Sequence, residues 1–345
     1  MRKIFSQTIE PSHTNGNAQM STGTRTATAP LGYDTSAGDG GGGGGRCGPS
    51  QIKHKSARLP PWLKITAGFD PEYVRVKKIV ESNGLHTVCG EAACPNIREC
   101  WGEGTATFMI LGKLCTRGCN FCDVLTGRPI ELDTDEPRRL AEGVSQLGLR
   151  QVVITSVTRD DLEDGGAVIF AETIRELRMR DPLVKIEILI PDMRGSKKAV
   201  QITLDARPDV FAHNVETVQR LYKRVRPGAR LKRSLGILKM ASQDKLQPVV
   251  KTGFMVGLGE TREEIIELFH QIRATGCQIV TLGQYLRPSD RHLPVERYYP
   301  PEEFVDLASI GNDIGFEHVE AGPLVRSSYK AFNQSKKLLE RKYSS

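Results

Sequence analysis

No apolar run in the 345-residue chain approaches the roughly 18 residues of a membrane-spanning helix, so the sequence offers no helical span. Tryptophan occurs twice and aromatics make up 6% of residues. No G-x4-G-K-[ST] phosphate loop is present, which leaves nucleotide hydrolysis without support. Eight cysteines in so long a chain are too few for a disulfide-dense secreted scaffold. A strong charge of one sign is missing as well. The net charge is +7, but residues 1–60 and 330–345 each carry +4, and the stretch between them is close to neutral. Basic ends on a neutral body give little reason to expect a nucleic-acid partner. The 26% charged fraction argues against wholesale disorder, and the length suits one large domain or two small ones.

Residues 1–58 are rich in Ser, Thr and Gly, and include a six-glycine run at 40–45. That composition predicts an unfolded leader, either a dispensable extension with a start codon placed too early or a transit peptide. Cys47 within it has no partner spacing. Beyond Pro60, short apolar runs at 106–112, 151–157, 185–190, 209–214, 249–256, 278–282 and 318–321 read as buried strands. Amphipathic helical segments lie between most of them, such as 136–147, 167–179, 262–275 and 301–314. The alternation implies a parallel sheet of the α/β class, a (β/α) barrel in preference to a doubly wound sheet. Residues at the C-terminal ends of the strands, at 155–161, 191–194, 213–216, 257–260 and 284–287, are then the functional candidates.

Six cysteines crowd into 34 residues. Cys115, Cys119 and Cys122 form C-x3-C-x2-C directly after the first expected strand, and Cys89, Cys94 and Cys100 form C-x4-C-x5-C upstream. Three thiolates on one short loop can converge on an inorganic centre. Structural zinc wants four protein ligands. A [4Fe–4S] cluster held by three thiolates instead leaves one iron open for a substrate. Both readings stay open on spacing alone, and the three-ligand count favours the cluster.

The C-x3-C-x2-C loop, with Phe121 before its last cysteine, resembles the cluster loop of the radical S-adenosylmethionine (SAM) superfamily. There the open iron chelates SAM, whose reductive cleavage yields a radical that abstracts an unactivated hydrogen. The upstream triplet, residues 155–166 (TSVTRDDLEDGG) and residues 322–329 (GPLVRSSY) make the chain similar to the lipoyl synthase family over about residues 60–335. The resemblance implies a partial (β/α)6 TIM-like barrel at 105–322, an auxiliary-cluster extension at 59–104 and a C-terminal segment with a basic tail at 323–345. It implies insertion of two sulfur atoms at C6 and C8 of a protein-bound N6-octanoyl-lysine, with two SAM molecules consumed. Cys115, Cys119 and Cys122 would hold the radical-generating [4Fe–4S] cluster. Cys89, Cys94, Cys100 and, by resemblance alone, Ser328 would hold an auxiliary [4Fe–4S] cluster that donates sulfur. Implied partners are octanoylated lipoyl carriers (2-oxoacid dehydrogenase E2 subunits, the glycine-cleavage H protein) and a reduced donor such as ferredoxin or flavodoxin. Nucleic acid and membrane are not expected. The location implied is the cytoplasm, or an organelle matrix or stroma if the leader is a transit peptide. The basic tail beside Ser328 is a candidate for steering acidic carriers.

Residues 213–217 (HNVET) are similar to a segment of biotin synthase that grips the ribose hydroxyls of SAM, which would make Asn214 and Glu216 a diol clamp. Equally, Asn214 could cap a following helix with Glu216 in its first turn. Gly257 and Gly259 could let backbone approach the adenine end of SAM, or Glu260 and Thr261 could simply start a helix. Asp160, Asp161 and Asp164, with Arg159, suit positioning or loop capping more than acid–base work. His86 reads as a packing residue and Cys277 as a buried core thiol. Asn333 opens a glycosylation triplet that a reducing interior would leave unused.

Overall fold

The computed structural model describes residues 59–344, apart from 65–70, 92–93, 95, 103–104 and 130. The expectations for the leader, its glycine run and Cys47 lie outside the described residues.

One sheet organises the chain. Its strands are β1 (His86–Thr87), β2 (Thr107–Ile110), β3 (Gln151–Ser156), β4 (Lys185–Leu189), β5 (Val210–Ala212), β6 (Val249–Val256), β7 (Ile279–Gln284) and β8 (His318–Gly322). They lie side by side in sequence order, and the first and last are not paired, so the barrel stays open. β1 runs antiparallel to β2 through His86↔Met109, and β2 to β8 are all parallel. All seven runs read as strands from the sequence are strands; two-residue β1 is too short to leave a pattern. Residues of β3 such as Val152, Val153 and Ile154 are wholly buried because helices cover the outer face while chain fills the inner one.

The helices Glu136–Leu147, Ala167–Arg180, Lys197–Asp205, Leu231–Ser242, Arg262–Arg273 and Pro301–Ile314 form the outer layer. Two of these helices start at a side-chain cap. Ser196 Oγ accepts from the Ala199 amide at 3.2 Å, and Thr261 and Glu264 form a reciprocal capping box.

The inner face is polar at one level. Lys251 Nζ meets Glu187 Oε1 at 2.7 Å, both side chains 1% exposed. Gln151 Nε2 donates to Glu187 Oε2 at 3.1 Å, and Ser335 Oγ donates to Gln151 Oε1 at 3.1 Å. The chain after β8 turns back through the Val325 amide to the Gly322 carbonyl at 3.1 Å and crosses the barrel interior. Its passage depends on two glycines: a Cβ on Gly283 would overlap the Val325 carbonyl, and one on Gly253 would crowd Ser327 and Thr281.

The C-terminal helix Ala331–Ser344 closes the other end. Leu338 and Leu339 pack on Val210, Val249 and Ile279, the first residues of β5, β6 and β7. Lys342 Nζ donates to the Gln247 carbonyl at 2.8 Å and Arg341 pairs with Glu317 at 2.8 Å. The basic tail expected to steer carriers is therefore not a free segment. The segment is helical, and its last basic residues are tied across the N-terminal ends of the strands, opposite the Cys115 loop.

Candidate functional site

The upstream cysteines sit on two short helices, Val88–Glu91 and Ile97–Gly102, with Cys94 between them. The turn is fixed by the Cys94 amide on the Cys89 carbonyl at 3.1 Å and the Cys100 amide on the Asn96 carbonyl at 2.9 Å. Trp101 stacks on Tyr73 with ring centroids 5.2 Å apart, which anchors the pair to the preceding helix.

The C-terminal strap is pinned onto this layer from 228 residues away. Asn96 Nδ2 donates to the Leu324 carbonyl at 2.6 Å, the Tyr329 hydroxyl donates to Glu99 at 3.1 Å, and Lys330 pairs with Glu99 at 2.9 Å. Thr107 Oγ1 donates to Ser328 Oγ at 2.8 Å, and the same threonine hydrogen-bonds the Cys89 sulfur. Cys89, Cys94, Cys100 and Ser328 are thus brought together.

Burial dominates their environment, and Arg326 is the cation that faces Cys94. Burial, with Cys89 and Cys94 as like neighbours, pushes the Cys100 thiol up to about 12. Burial and Cys94 likewise raise Cys89. The Arg326 guanidinium is desolvated, and the Cys94 sulfur is the one charge that opposes its downward shift. Two buried thiols, a half-buried third and a desolvated cation fit an anionic metal body that converts thiols to thiolates.

Cys115, Cys119 and Cys122 occupy the loop that leaves the C-terminal end of β2. The loop is cross-braced: the Cys115 amide bonds the Leu125 carbonyl at 2.8 Å, the Asn120 amide the Val225 carbonyl at 3.0 Å, and His292 Nε2 lies 3.0 Å from the Cys122 carbonyl. The Cys115 sulfur accepts from the Arg117 and Thr158 amides, both at 3.4 Å. Burial raises Cys119 to about 12 and Cys122 to about 11, with the triplet's own sulfurs adding to both. The two triplets lie on different elements, one on the short helices before β2 and one on the loop after it, and form two sites. Among the described residues no three His, Cys, Asp or Glu side chains converge tightly enough for a single ion. Ligands at about 2.3 Å from one zinc would have to converge; thiolates on separate irons of a cluster stand further apart. The donor sets fit [4Fe–4S] clusters.

Asn214 and Glu216 stand beside the second triplet, since the Glu216 carboxylate acts on both Cys119 and Cys122. The capping alternative fails, because the next helical turn is Gln219–Leu221 with Val218 at its cap. Asn214 Nδ2 donates to Ser327 Oγ at 2.7 Å, while Asn214 Oδ1 is buried without a hydrogen-bond partner. Glu216 adopts φ 67° and is held by its amide on the Gly253 carbonyl at 3.1 Å. Burial raises its carboxyl, against Arg226 and Asn214. The buried Asn214 amide oxygen without a partner and the desolvated Glu216 carboxyl beside it are two acceptors able to take hydroxyl donors.

The remaining candidates are structural. Asp160 binds Arg117 at 2.7 Å, Asp161 binds Arg159 at 2.8 Å, and Asp164 accepts from the Gly166 and Val168 amides at 3.0 and 2.8 Å. Glu260 accepts from the Gly257 and Leu258 amides at 2.6 and 3.0 Å, so it staples its own loop, and Thr261 is the helix cap. Gly257 (φ 102°) makes room for Gln284 and the Arg297 carbonyl. His86 Nδ1 meets Glu91 at 3.3 Å instead of packing, and Cys277 is fully buried with its sulfur donating to the Ile279 carbonyl at 3.3 Å. Asn333 is exposed on the C-terminal helix.

Sequence reasoning missed Thr107, Arg117, Asp192, Arg226 and Arg326. Asp192 lay within a strand-end loop already marked as a candidate, yet its role depends on Arg117 at 2.7 Å and Arg233 at 2.8 Å, contacts no local pattern announces.

Among the described residues no helix is long and apolar enough to cross a membrane. A Radical SAM superfamily model matches residues 109–272, and a model of the N-terminal domain of lipoyl synthase matches residues 49–94. The chain is 53% identical over 276 residues to the lipoyl synthase of Rubrobacter xylanophilus, spanning 80% of this chain and 86% of that one. It is 52% identical to that of Symbiobacterium thermophilum over 85% and 92% of the two chains. Against that of Bacillus cereus it is 53% identical over 82% and 96%. A methylornithine synthase structure aligns at 15% identity with a TM-score of 0.43, over 80% and 93% of the two chains. Two thiol triplets on an open β/α barrel, met by matches of this extent, place the chain in the lipoyl synthase family of radical SAM enzymes.

Proposed function

We propose that the chain adds two sulfur atoms, at C6 and C8, to an octanoyl group amide-linked to a lysine of a lipoyl carrier. The observation that carries this is the delivery of Ser328 to Cys89, Cys94 and Cys100 while Cys115, Cys119 and Cys122 form a separate set. When bound, the two [4Fe–4S] clusters and SAM supply reductive radical generation and sulfur.

The chain's own residues position and shield. Cys115, Cys119 and Cys122 hold one cluster and leave a corner free, on a loop braced against three neighbours. Asn214 Oδ1 and the Glu216 carboxylate receive the ribose hydroxyls of SAM, and Arg226, whose guanidinium donates to the Asn214 carbonyl at 2.8 Å, fixes that backbone. Cys89, Cys94, Cys100 and Ser328 hold the second cluster. One hard oxygen among soft thiolates marks the weakest corner of that set. The strap through the barrel keeps Ser328 in place and excludes water from the interior. Sequence segments 59–104, 105–322 and 323–345 divide the work accordingly. Carriers of the E2 and H-protein kinds and a ferredoxin or flavodoxin donor suit this chemistry, as does a reducing compartment, the cytoplasm or an organelle matrix.

The test is mass spectrometry of an octanoylated carrier after anaerobic incubation with the reconstituted chain, SAM and reductant. A gain of two sulfurs is expected. Ser328→Ala should still bind iron and cleave SAM but transfer sulfur at least about tenfold more slowly. Full lipoyl formation by that variant in a single turnover overturns the ligand assignment.

A further inference from the structure

A groove of about 770 Å³ runs between the outer helices Lys197–Asp205 and Leu231–Ser242. Its walls carry Lys197, Lys232, Arg233, Lys239 and Lys245 against the single acid Asp244. That acid is already engaged, since it accepts from Gln201 Nε2 at 2.9 Å and from the Leu246 amide at 2.8 Å. Helix Leu231–Ser242 contains no acidic residue at all. Among the described residues Lys197, Lys232, Lys239 and Lys245 take part in no ion pair, and all four are exposed. Other parts of the surface are better balanced. On helix Glu136–Leu147, for example, Arg138 and Arg139 are answered by Asp133, Asp135 and Glu142. A cluster of unanswered cations inside a concavity raises the local potential and favours an acidic partner.

The groove also connects with the reaction site. Arg233, from its wall, binds Asp192 at 2.8 Å; Asp192 binds Arg117 at 2.7 Å; and Arg117 lies between Cys115 and Cys119. Ser234, next to Arg233, holds His213 Nε2 at 2.9 Å, one residue before Asn214. A body seated at the Lys197, Lys232 and Arg233 end of the groove therefore lies beside the loop that carries Cys115, while the Asp244 and Lys245 end reaches the N-terminal ends of the strands.

We propose that this groove is the docking surface for the carrier protein and that it receives an acidic face next to the octanoylated lysine. The proposal rests on the protein-bound substrate assigned above. The C-terminal tail meets only the lower end of this groove, where Lys342 binds the Leu246 and Gln247 carbonyls.

The experiment titrates an octanoylated, net-negative lipoyl carrier domain into the reconstituted full chain at low and moderate salt. Lys232→Glu/Lys239→Glu is expected to weaken binding about tenfold or more and to flatten its salt dependence. Turnover of a short octanoyl-lysine peptide should stay unchanged. Equal affinity and equal salt response in variant and parent overturn the docking surface. So does a variant that loses affinity for a homopolymer RNA while keeping that for the carrier. Failure of the parent chain to convert the peptide overturns the assigned reaction instead, and the titration, which needs no turnover, still decides the groove.

Discussion

His213 is buried at the end of β5 with its Nδ1 at 2.9 Å from the Ile190 carbonyl and its Nε2 at 2.9 Å from Ser234 Oγ. The carbonyl cannot donate, so Nδ1 carries the proton and Nε2 accepts from the serine. Burial, with Arg226 and Arg117 opposing a further positive charge and Asp192 favouring it, holds the imidazole down to about 4 from an ordinary 6.5. An unfolded chain takes up that proton first as pH falls. Stability is therefore lost between 6.5 and about 4 and is fully present above that window. His213→Gln should shrink the difference between urea midpoints measured at pH 7.5 and pH 5; an unchanged difference would assign the acid sensitivity to other groups. The same residue scale decides Asn214. Its type and position were legible, but whether it caps a helix depends on where the helix begins, and Val218 takes that place.

At the scale of elements, the strands were legible because most are short apolar runs buried on both faces, and the helices because their apolar positions recur at helical spacing. The strap at 323–328 was not. Its contacts join residues more than 200 positions apart, and its path depends on an absence, the missing side chains of Gly253 and Gly283. Nothing in strand periodicity separates a glycine that clears a crossing chain from one that merely weakens a strand. Gly283→Ala tests the distinction, because its Cβ would displace the Val325 carbonyl and with it Ser328. Iron per reconstituted chain is expected to fall from about eight toward about four, with SAM cleavage retained. Eight irons and normal sulfur insertion in that variant would show that the crossing is not what delivers Ser328.

For the whole molecule, both ends of the barrel are filled by one chain terminus. The strap fills the interior and reaches the upstream cysteines, and the helix that follows it seals Val210, Val249 and Ile279 at the opposite face. A basic tail read as a linear string of lysines looked free to meet a partner; folded, it is a lid whose charge is incidental to Leu338 and Leu339. The two roles predict different outcomes for a chain ending at Lys330, which keeps Ser328 and removes the helix. A steering tail would raise the KM for a carrier in a salt-dependent way and leave stability alone. A lid loses the burial of two leucines, about 3–6 kcal/mol, and lowers the melting temperature by about 10 °C or more, with the salt dependence of carrier binding unchanged. Calorimetry of the truncated chain beside a carrier titration separates them. An unshifted melting temperature would return the tail to a surface role, and the expected shift leaves the lysine groove as the basic surface available to a carrier.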